Sequence, residues 1–260
     1  MKIFSVGYRC SSAGILKHLN VKHESFPFDW MISRLPIIKD CIQTNFFHFL
    51  NQQNYDKLHT QTIHYGQSLT QSSNVFICNE EIIYNRYYQD KFNKEEVFIP
   101  ECLHTPNDTY AYYLALNHRN ILCEEDHEYF KRAIERFDNM IYSNEEKMYL
   151  YIHPVLSSKE YSTIKNDLIN EFVSFQLYMS SLNNMSRITG LFIIMVRTND
   201  DKKINLPGDI ENIEINKDLG FYIHVVYTHT EFIDAGEICM QNNNELETHT
   251  LINLVKSYIK

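Results

Sequence analysis

A cysteine close to the amino terminus has the clearest chemical potential in this sequence. Cys10 follows an apolar run at residues 3–6 and opens a helix-like stretch that extends to about residue 19. If the apolar run is a strand that ends near Gly7, Cys10 falls in the first turn of the next helix, where backbone N–H groups and the helix dipole stabilise a thiolate. Arg9 adds positive charge beside it. The competing interpretation is a small apolar cysteine packed against the strand.

A second candidate is an acid in an aromatic setting. Residues 25–30 read Ser-Phe-Pro-Phe-Asp-Trp, and they include Asp29 and the single tryptophan, Trp30. A carboxylate among aromatic rings needs donors, either backbone N–H groups or a cation such as Arg9 or Arg34. Asp29 therefore lines a site or caps the turn that follows it at a structural corner, and the residues leave both interpretations open.

Histidines supply the candidate bases for a thiol. His118 follows an apolar run at residues 112–116, and Asn120 lies two residues further on. His153 follows a predicted buried strand at residues 148–152. A parallel sheet would place His153 at the rim formed by the carboxyl ends of its strands, which is where α/β proteins bind their ligands. Both histidines remain candidates.

Metal and cofactor sites are not predicted. None of the six cysteines forms a Cys-x-x-Cys pair, and the histidine pairs at 59/64 and 224/229 have no further ligand at customary spacing. His224 is expected to be a half-buried sheet residue. The glycine-rich dinucleotide and P-loop fingerprints are missing, so we expect neither metal nor cofactor.

The composition bounds the class of protein. The 260 residues include 44% hydrophobic side chains, enough for one large folded domain. With 33 acidic against 24 basic residues, the net charge of −9 excludes binding of nucleic acid or anionic membranes by bulk charge. The longest apolar run, residues 191–196, is far shorter than the roughly 20 residues that span a membrane. We expect a soluble cytoplasmic protein with reduced thiols (in the host cytoplasm or the virion, if the source is viral) and leave its oligomeric state open.

The elements that must position these residues alternate between strands and helices. Apolar runs are separated by stretches with helical periodicity, such as residues 126–142 and 158–179. This order predicts a three-layer α/β fold, with a mostly parallel sheet and helices on both faces. We expect residues 1–260 to form a single domain. Residues 35–110 break the rhythm and are predicted to be a helical or irregular insertion after the first strand–helix unit, shaping one end of the sheet.

Two stretches resemble a known family. The first is Ser5-Val6-Gly7-x-x-Cys10 followed by the Pro-Phe-Asp-Trp motif within residues 25–30, which is similar to the opening of the papain-like cysteine peptidase family found in bacteria and large DNA viruses. The second is Leu-Asn-His-Arg-Asn at 116–120 with the helix at 130–137, where Lys131-Arg132 stands in place of the family's paired arginines. The resemblance covers roughly residues 2–50 and 112–153.

The resemblance implies a thiol hydrolase acting on an amide, peptide or acyl bond of a peptide or small-molecule substrate. It implies Cys10 as nucleophile and His118 as base, with Asn120 or Asp29 as the group that orients the imidazole. The residues expected to line the substrate site are Arg9, Ser11, Trp30 and His153, of which His153 is also the rival base.

Two other functions stay open. One is a non-catalytic α/β binding module in which Cys10 is a core residue and Asp29 a corner residue. The other is a Rossmann-like transferase that binds a nucleotide or sugar over the loop at residues 7–12. Papain-like enzymes place the nucleophile's helix against an antiparallel sheet, whereas this sequence predicts parallel strands. With a parallel sheet, the family resemblance would describe a cysteine–histidine pairing and not the fold.

Overall fold

The computed structural model describes residues 1–8, 11–65, 75–92, 97–98, 109–110, 114–116, 119–155, 158–197, 209–228 and 245–259. The strands are β1 (Lys2–Ser5), β2 (Met31–Ile32), β3 (Tyr55–Tyr65), β4 (Val75–Asn85), β5 (Val97–Phe98), β6 (Thr109–Tyr110), β7 (Leu114–Leu116), β8 (Lys147–Val155), β9 (Ile188–Arg197), β10 (Ile210–Asn216) and β11 (Phe221–Thr228). The helices are α1 (Ser11–His18), α2 (Leu35–Gln43), α3 (Phe47–Leu50), α4 (Arg86–Phe92), α5 (Glu124–Ile141), α6 (Ser158–Leu182) and α7 (Glu245–Tyr258), with a 3₁₀ turn at Gln52–Asn54.

The central sheet has the strand order β1-β8-β9-β11-β10. The β1–β8, β8–β9 and β9–β11 pairs are parallel, and the edge strand β10 pairs antiparallel with β11. β8, β9 and β11 are apolar along most of their length because both of their faces are covered, as is usual in parallel sheets. The predicted mostly parallel α/β fold is confirmed.

Helices cover both faces of this sheet. On one face, Ile15 of α1 and Leu251 of α7 belong to a core with Leu150 and Leu191. On the other face, α2, α3, α5 and α6 bury a larger and more aromatic core. α5 buries the face that its periodicity predicts, which consists of Phe130, Ala133, Ile134, Phe137, Met140 and Ile141.

A second sheet of order β2-β7-β4-β3 lies largely within the predicted insertion. All of its strand pairs are antiparallel, and β3 pairs with β4 over eleven residues. The sequence indicates only weak strands here, because the partner strand that completes a ladder is not visible in a local pattern. That residues 35–110 are an insertion remains a prediction.

The helices α2 and α3 occupy most of residues 35–50. Asn45 and Phe46 separate them with positive φ angles of 47° and 58°. The Phe46 N–H donates to the carbonyl of Cys41 at 2.7 Å, which closes the end of α2. The Phe46 ring is buried against Phe28, Phe49 and Phe137, so packing of this ring offsets the left-handed backbone.

Candidate functional site

The chain is described on both sides of Cys10. The Val6 N–H donates to the Leu150 carbonyl at 3.1 Å, which continues the ladder between β1 and β8 by one residue. The buried Tyr8 follows, and its carbonyl accepts the Ser33 N–H at 3.1 Å. Arg9 and Cys10 lie outside the described residues, and Ser11 is the first residue of α1. Cys10 is therefore the residue between the carboxyl end of the β1 segment and the first helix.

Asp29 is fully buried and each of its carboxylate oxygens accepts a hydrogen bond. The Ser5 hydroxyl donates to Oδ1 at 2.5 Å, and the Phe26 N–H donates to Oδ2 at 2.7 Å. The Lys22 ammonium lies 2.7 Å from Oδ2. Burial raises the pKa of Asp29, and the Lys22 charge and these hydrogen bonds oppose that shift without cancelling it. These contacts tie the corner at residues 22–29 to β1.

The cation beside Asp29 is Lys22, a residue that no sequence motif singles out. Its side chain is 7% exposed and also donates to the Glu24 carbonyl at 2.5 Å. An acid in an aromatic stretch predicts a cationic partner, but nothing in the spacing selects a lysine seven residues upstream over a nearby arginine. Arg34 is paired elsewhere: its Nη2 lies 3.0 Å from Oε2 of Glu171, joining the start of α2 to α6.

His153 lies in β8 next to the segment that leads to Cys10. Its ring is 5.0 Å from the Tyr8 ring, and its Nδ1 is 3.4 Å from the Tyr151 hydroxyl. Burial, and secondarily the charge of Arg34, hold the pKa of His153 well below its usual range. The imidazole is therefore neutral at physiological pH.

β8 extends further than its sequence suggests. The predicted strand stops before His153-Pro154, whereas the observed strand continues to Val155 and pairs Pro154 with Met195 of β9. Proline has no N–H to donate to a ladder. Among the described residues, the pairing of the β1 segment with β8 reaches Leu150, four residues before Pro154.

His118 also lies outside the described residues, but the chain on both sides of it is described. β7 ends two residues before it, with Leu116 opposite Met31 of β2. Two residues after it, the Asn120 N–H donates to Oδ2 of Asp126 at 2.7 Å. The Asn120 side chain accepts the Leu122 N–H at 3.0 Å, so its oxygen stabilises the turn before α5.

Asp126 lies inside α5 and not at its N-cap. The N-cap of α5 is Cys123, and Asp126 is the third helical residue. Its carboxylate reaches back to the residues just after His118, because Oδ1 also lies 2.5 Å from Nη1 of Arg119. The Arg119 guanidinium stacks 3.5 Å from the centre of the Tyr129 ring.

β2 brings the candidate segments to the same part of the molecule. It directly follows the half-buried Trp30, and it contacts β7 through Met31 while the adjacent Ser33 binds Tyr8. Met31 and Ser33 are two residues apart, a span of roughly 7 Å in an extended chain. β7 runs antiparallel to β2, so Leu116 at the carboxyl end of β7 lies opposite Met31 at the start of β2. Met31 follows Asp29 by two residues.

His224, possible metal ligands and possible membrane-spanning helices are the sequence features that remain. His224 is 2% exposed in β11, and its ring nitrogens lie 2.7 Å from Oδ1 of Asn212 and 2.7 Å from the Tyr258 hydroxyl. Among the described residues, no three His, Cys, Asp or Glu side chains are grouped so that they could hold a metal ion. None of the described helices combines the length and apolarity that a membrane crossing requires.

These features define an α/β protein in which the first strand of a mostly parallel sheet leads to a cysteine directly before the first helix. A family model with the description "putative papain-like cysteine peptidase" matches residues 1–230. The match covers well over half of the 260 residues, so the chain belongs to this family, as its motifs predict. No curated protein and no solved structure matches the chain.

Proposed function

We propose that the protein is a cysteine-dependent hydrolase in which Cys10 is the nucleophile and His118 is the base. The observation that carries the proposal is the pair of backbone contacts around β2. Tyr8, two residues before Cys10, binds Ser33, and Leu116, two residues before His118, pairs with Met31. Membership of a cysteine peptidase family supports the same assignment.

The position of Cys10 in the chain suits a reactive thiol. Chain continuity puts it at the residue before α1, where the unpaired N–H groups of a helix start favour a thiolate. The two cysteines with described surroundings differ: Cys41 is buried, and burial raises its thiol pKa, whereas Cys123 is exposed and free. Cys10 is the thiol that both the fold and the family motif favour.

The proposed reaction has two steps. The Cys10 thiolate attacks the carbonyl carbon of an amide, peptide or acyl substrate, and the proton taken by His118 passes to the leaving amine or alcohol as its bond to carbon breaks. Water then attacks the resulting thioester while His118 accepts its proton, and the carboxylic acid leaves as the thiol is restored. The Cys10 N–H is the proposed donor to the oxyanion.

His153 is the second candidate base, because its ring contacts Tyr8 and it lies near the carboxyl end of β8. Its burial argues for a different role. A neutral imidazole held among Tyr8, Tyr151 and Phe172 accepts a proton only at a considerable cost, so we assign His153 to packing at the rim. We assign Asp29 a structural role at the corner, because both of its carboxylate oxygens already accept hydrogen bonds.

A ligand-binding or transferase function is the competing proposal, and the parallel sheet favours it. Open parallel sheets bind nucleotides and sugars outside the carboxyl ends of their strands, and the β1 segment ends next to Cys10. Thermal shift with nucleotides, nucleotide sugars and peptides tests it, because a ligand that binds the folded state raises the melting temperature.

Acyl trapping tests the hydrolase directly. After brief incubation with p-nitrophenyl acetate and acid quenching, peptide mass spectrometry should find the acetyl group on Cys10, with Cys123 as the exposed internal control. Cys10→Ser should abolish the burst of nitrophenolate, and His118→Ala should slow it far more than His153→Gln. Acetylation spread evenly over the cysteines, or a burst that survives Cys10→Ser, would overturn the proposal.

A further inference from the structure

The two residues after His118 are held to α5 by a single carboxylate. Oδ1 of Asp126 lies 2.5 Å from Nη1 of Arg119, and Oδ2 accepts the Asn120 N–H at 2.7 Å. The Arg119 guanidinium is in turn stacked on the ring of Tyr129, one turn further along α5. Asp126 thus binds one side chain and one backbone group of the same short segment.

This arrangement does not serve the helix start in the usual way. In a capping box, an acid at the third helical position binds the backbone N–H of the N-cap residue. Here the N-cap is Cys123, whose N–H donates instead to the Asn120 carbonyl at 2.9 Å. Asp126 has a side-chain hydrogen bond with the N-cap Cys123, and it also reaches six residues back along the chain to residues 119–120.

The contacts of Asp126 with Arg119 and Asn120 favour the charged form of its carboxylate. The side chains of Asp126 and Arg119 are 18% and 33% exposed, so water only partly screens their ion pair. Burial by itself would raise the pKa of Asp126, but the Asn120 N–H and the Arg119 guanidinium outweigh it and lower the pKa below the ordinary value. The anchor therefore persists throughout the neutral pH range.

We infer that Asp126 is a positioning residue for His118, an inference that rests on the proposed function. β7 fixes the chain two residues before His118 through its pairing with β2, and Asp126 fixes the chain directly after it. The described chain is therefore held both before and after residues 117–118. In this role Asp126 acts through the position of the His118 imidazole.

The test is the pH dependence of Cys10 alkylation by iodoacetamide, followed by peptide mass spectrometry. A thiol paired with an imidazole reacts well below the ordinary thiol pKa of about 8.5. Asp126→Ala should lower the rate at pH 6.5 about tenfold and move the midpoint of the profile toward that of His118→Ala. Asp126→Asn, which keeps an acceptor for the Asn120 N–H, should give an intermediate profile.

A purely structural role would give a different result. In that case Asp126→Ala lowers the melting temperature but leaves the Cys10 profile unchanged, which overturns the inference. The double variant His118→Ala/Asp126→Ala should react like His118→Ala alone, and additive losses would contradict an action through His118. Arg119→Gln, which removes the ion pair and keeps the carboxylate, provides a second variant if Asp126→Ala does not fold.

The control is Glu128→Ala, which removes an exposed ion pair with Lys131 on the same helix and should leave the profile unchanged. The outcome of His118→Ala separates the two proposals. If it leaves the Cys10 profile unchanged, the Cys10–His118 pairing fails and the role of Asp126 fails with it. If it shifts the profile while Asp126→Ala does not, only the role of Asp126 is overturned.

Discussion

The ammonium of Lys22 lies 2.7 Å from Oδ2 of Asp29, and the two side chains are 7% and 0% exposed. A buried ion pair of this kind needs further hydrogen bonds to offset the loss of water, and the Ser5 hydroxyl and Phe26 N–H supply them to the carboxylate. Because Ser5 ends β1, this cluster couples the Pro-Phe-Asp-Trp corner to the strand that leads to Cys10.

Removing the cation of this pair should be strongly destabilising. Lys22→Met keeps most of the side-chain volume but leaves the buried carboxylate without its opposite charge, which costs about 3–5 kcal/mol of unfolding free energy. Burial already raises the folded-state pKa of Asp29, and losing Lys22 raises it further. At pH 7 the folded variant then holds a proton on Asp29 that the unfolded chain releases. The loss of unfolding free energy caused by Lys22→Met should therefore be larger at pH 7 than at pH 4.

Urea unfolding of Lys22→Met, Asp29→Asn and the double variant measures this coupling. The double variant should recover part of the loss, because its buried group is neutral. Lys2→Met is the matched control, since the Lys2–Glu145 pair is about half exposed and should contribute less than about 1 kcal/mol. Equal effects of Lys22→Met and Lys2→Met would show that burial of the Lys22–Asp29 pair has no energetic consequence.

His153 should make the fold sensitive to acid. Its folded-state pKa lies well below the ordinary value of about 6.5, so below pH 6.5 the unfolded chain binds a proton that the folded chain does not. Stability therefore falls as the pH falls, by up to about 1.4 kcal/mol per pH unit for one such group. His153→Gln should flatten the pH dependence of the unfolding free energy between pH 6 and pH 5. An unchanged slope would contradict the assignment of His153 as a buried neutral residue.

Gly190 and Gly220 should respond differently to alanine. A Cβ on Gly190 would lie 2.6 Å from the Tyr149 hydroxyl oxygen and 2.7 Å from Phe192, inside the packed centre of the sheet. Gly220 has φ of +70° and no contact closer than 3.4 Å, so its constraint is the backbone conformation. Gly190→Ala should cost about 3 kcal/mol and Gly220→Ala about 1 kcal/mol in denaturant unfolding. Similar losses would mean that the sheet relaxes around Gly190.

The predictable part of the fold is the part set by local pattern. The apolar runs of β8, β9 and β11 and the periodicity of α5 and α6 suffice to predict a parallel α/β sheet with helices on both faces. The second sheet is less visible because β3, β4 and β7 are stabilised by pairing between segments that are distant in sequence. The break at Asn45 and Phe46 depends on the burial of one ring, which no helical pattern reveals.

The residues of the candidate site divide in the same way, into those that the local sequence reveals and those that only the fold reveals. Cys10 and His118 stand out because their residue types and family motifs are visible in the chain. Lys22 and Asp126 do not, since their importance comes from partners that the fold supplies: Asp29 for Lys22, and Arg119 for Asp126. Ion pairs across a corner or back from a helix have no sequence period, so they emerge only from the three-dimensional arrangement.

Titration of the Cys10 thiolate tests whether the position of this thiol and the presence of His118 lower its pKa. The ultraviolet absorbance of the thiolate is followed with pH in the intact protein, and the signal of Cys10→Ser is subtracted. We expect a midpoint below about 7.5 that rises in His118→Ala. A midpoint at or above the ordinary value of about 8.5, unaffected by His118→Ala, would contradict it.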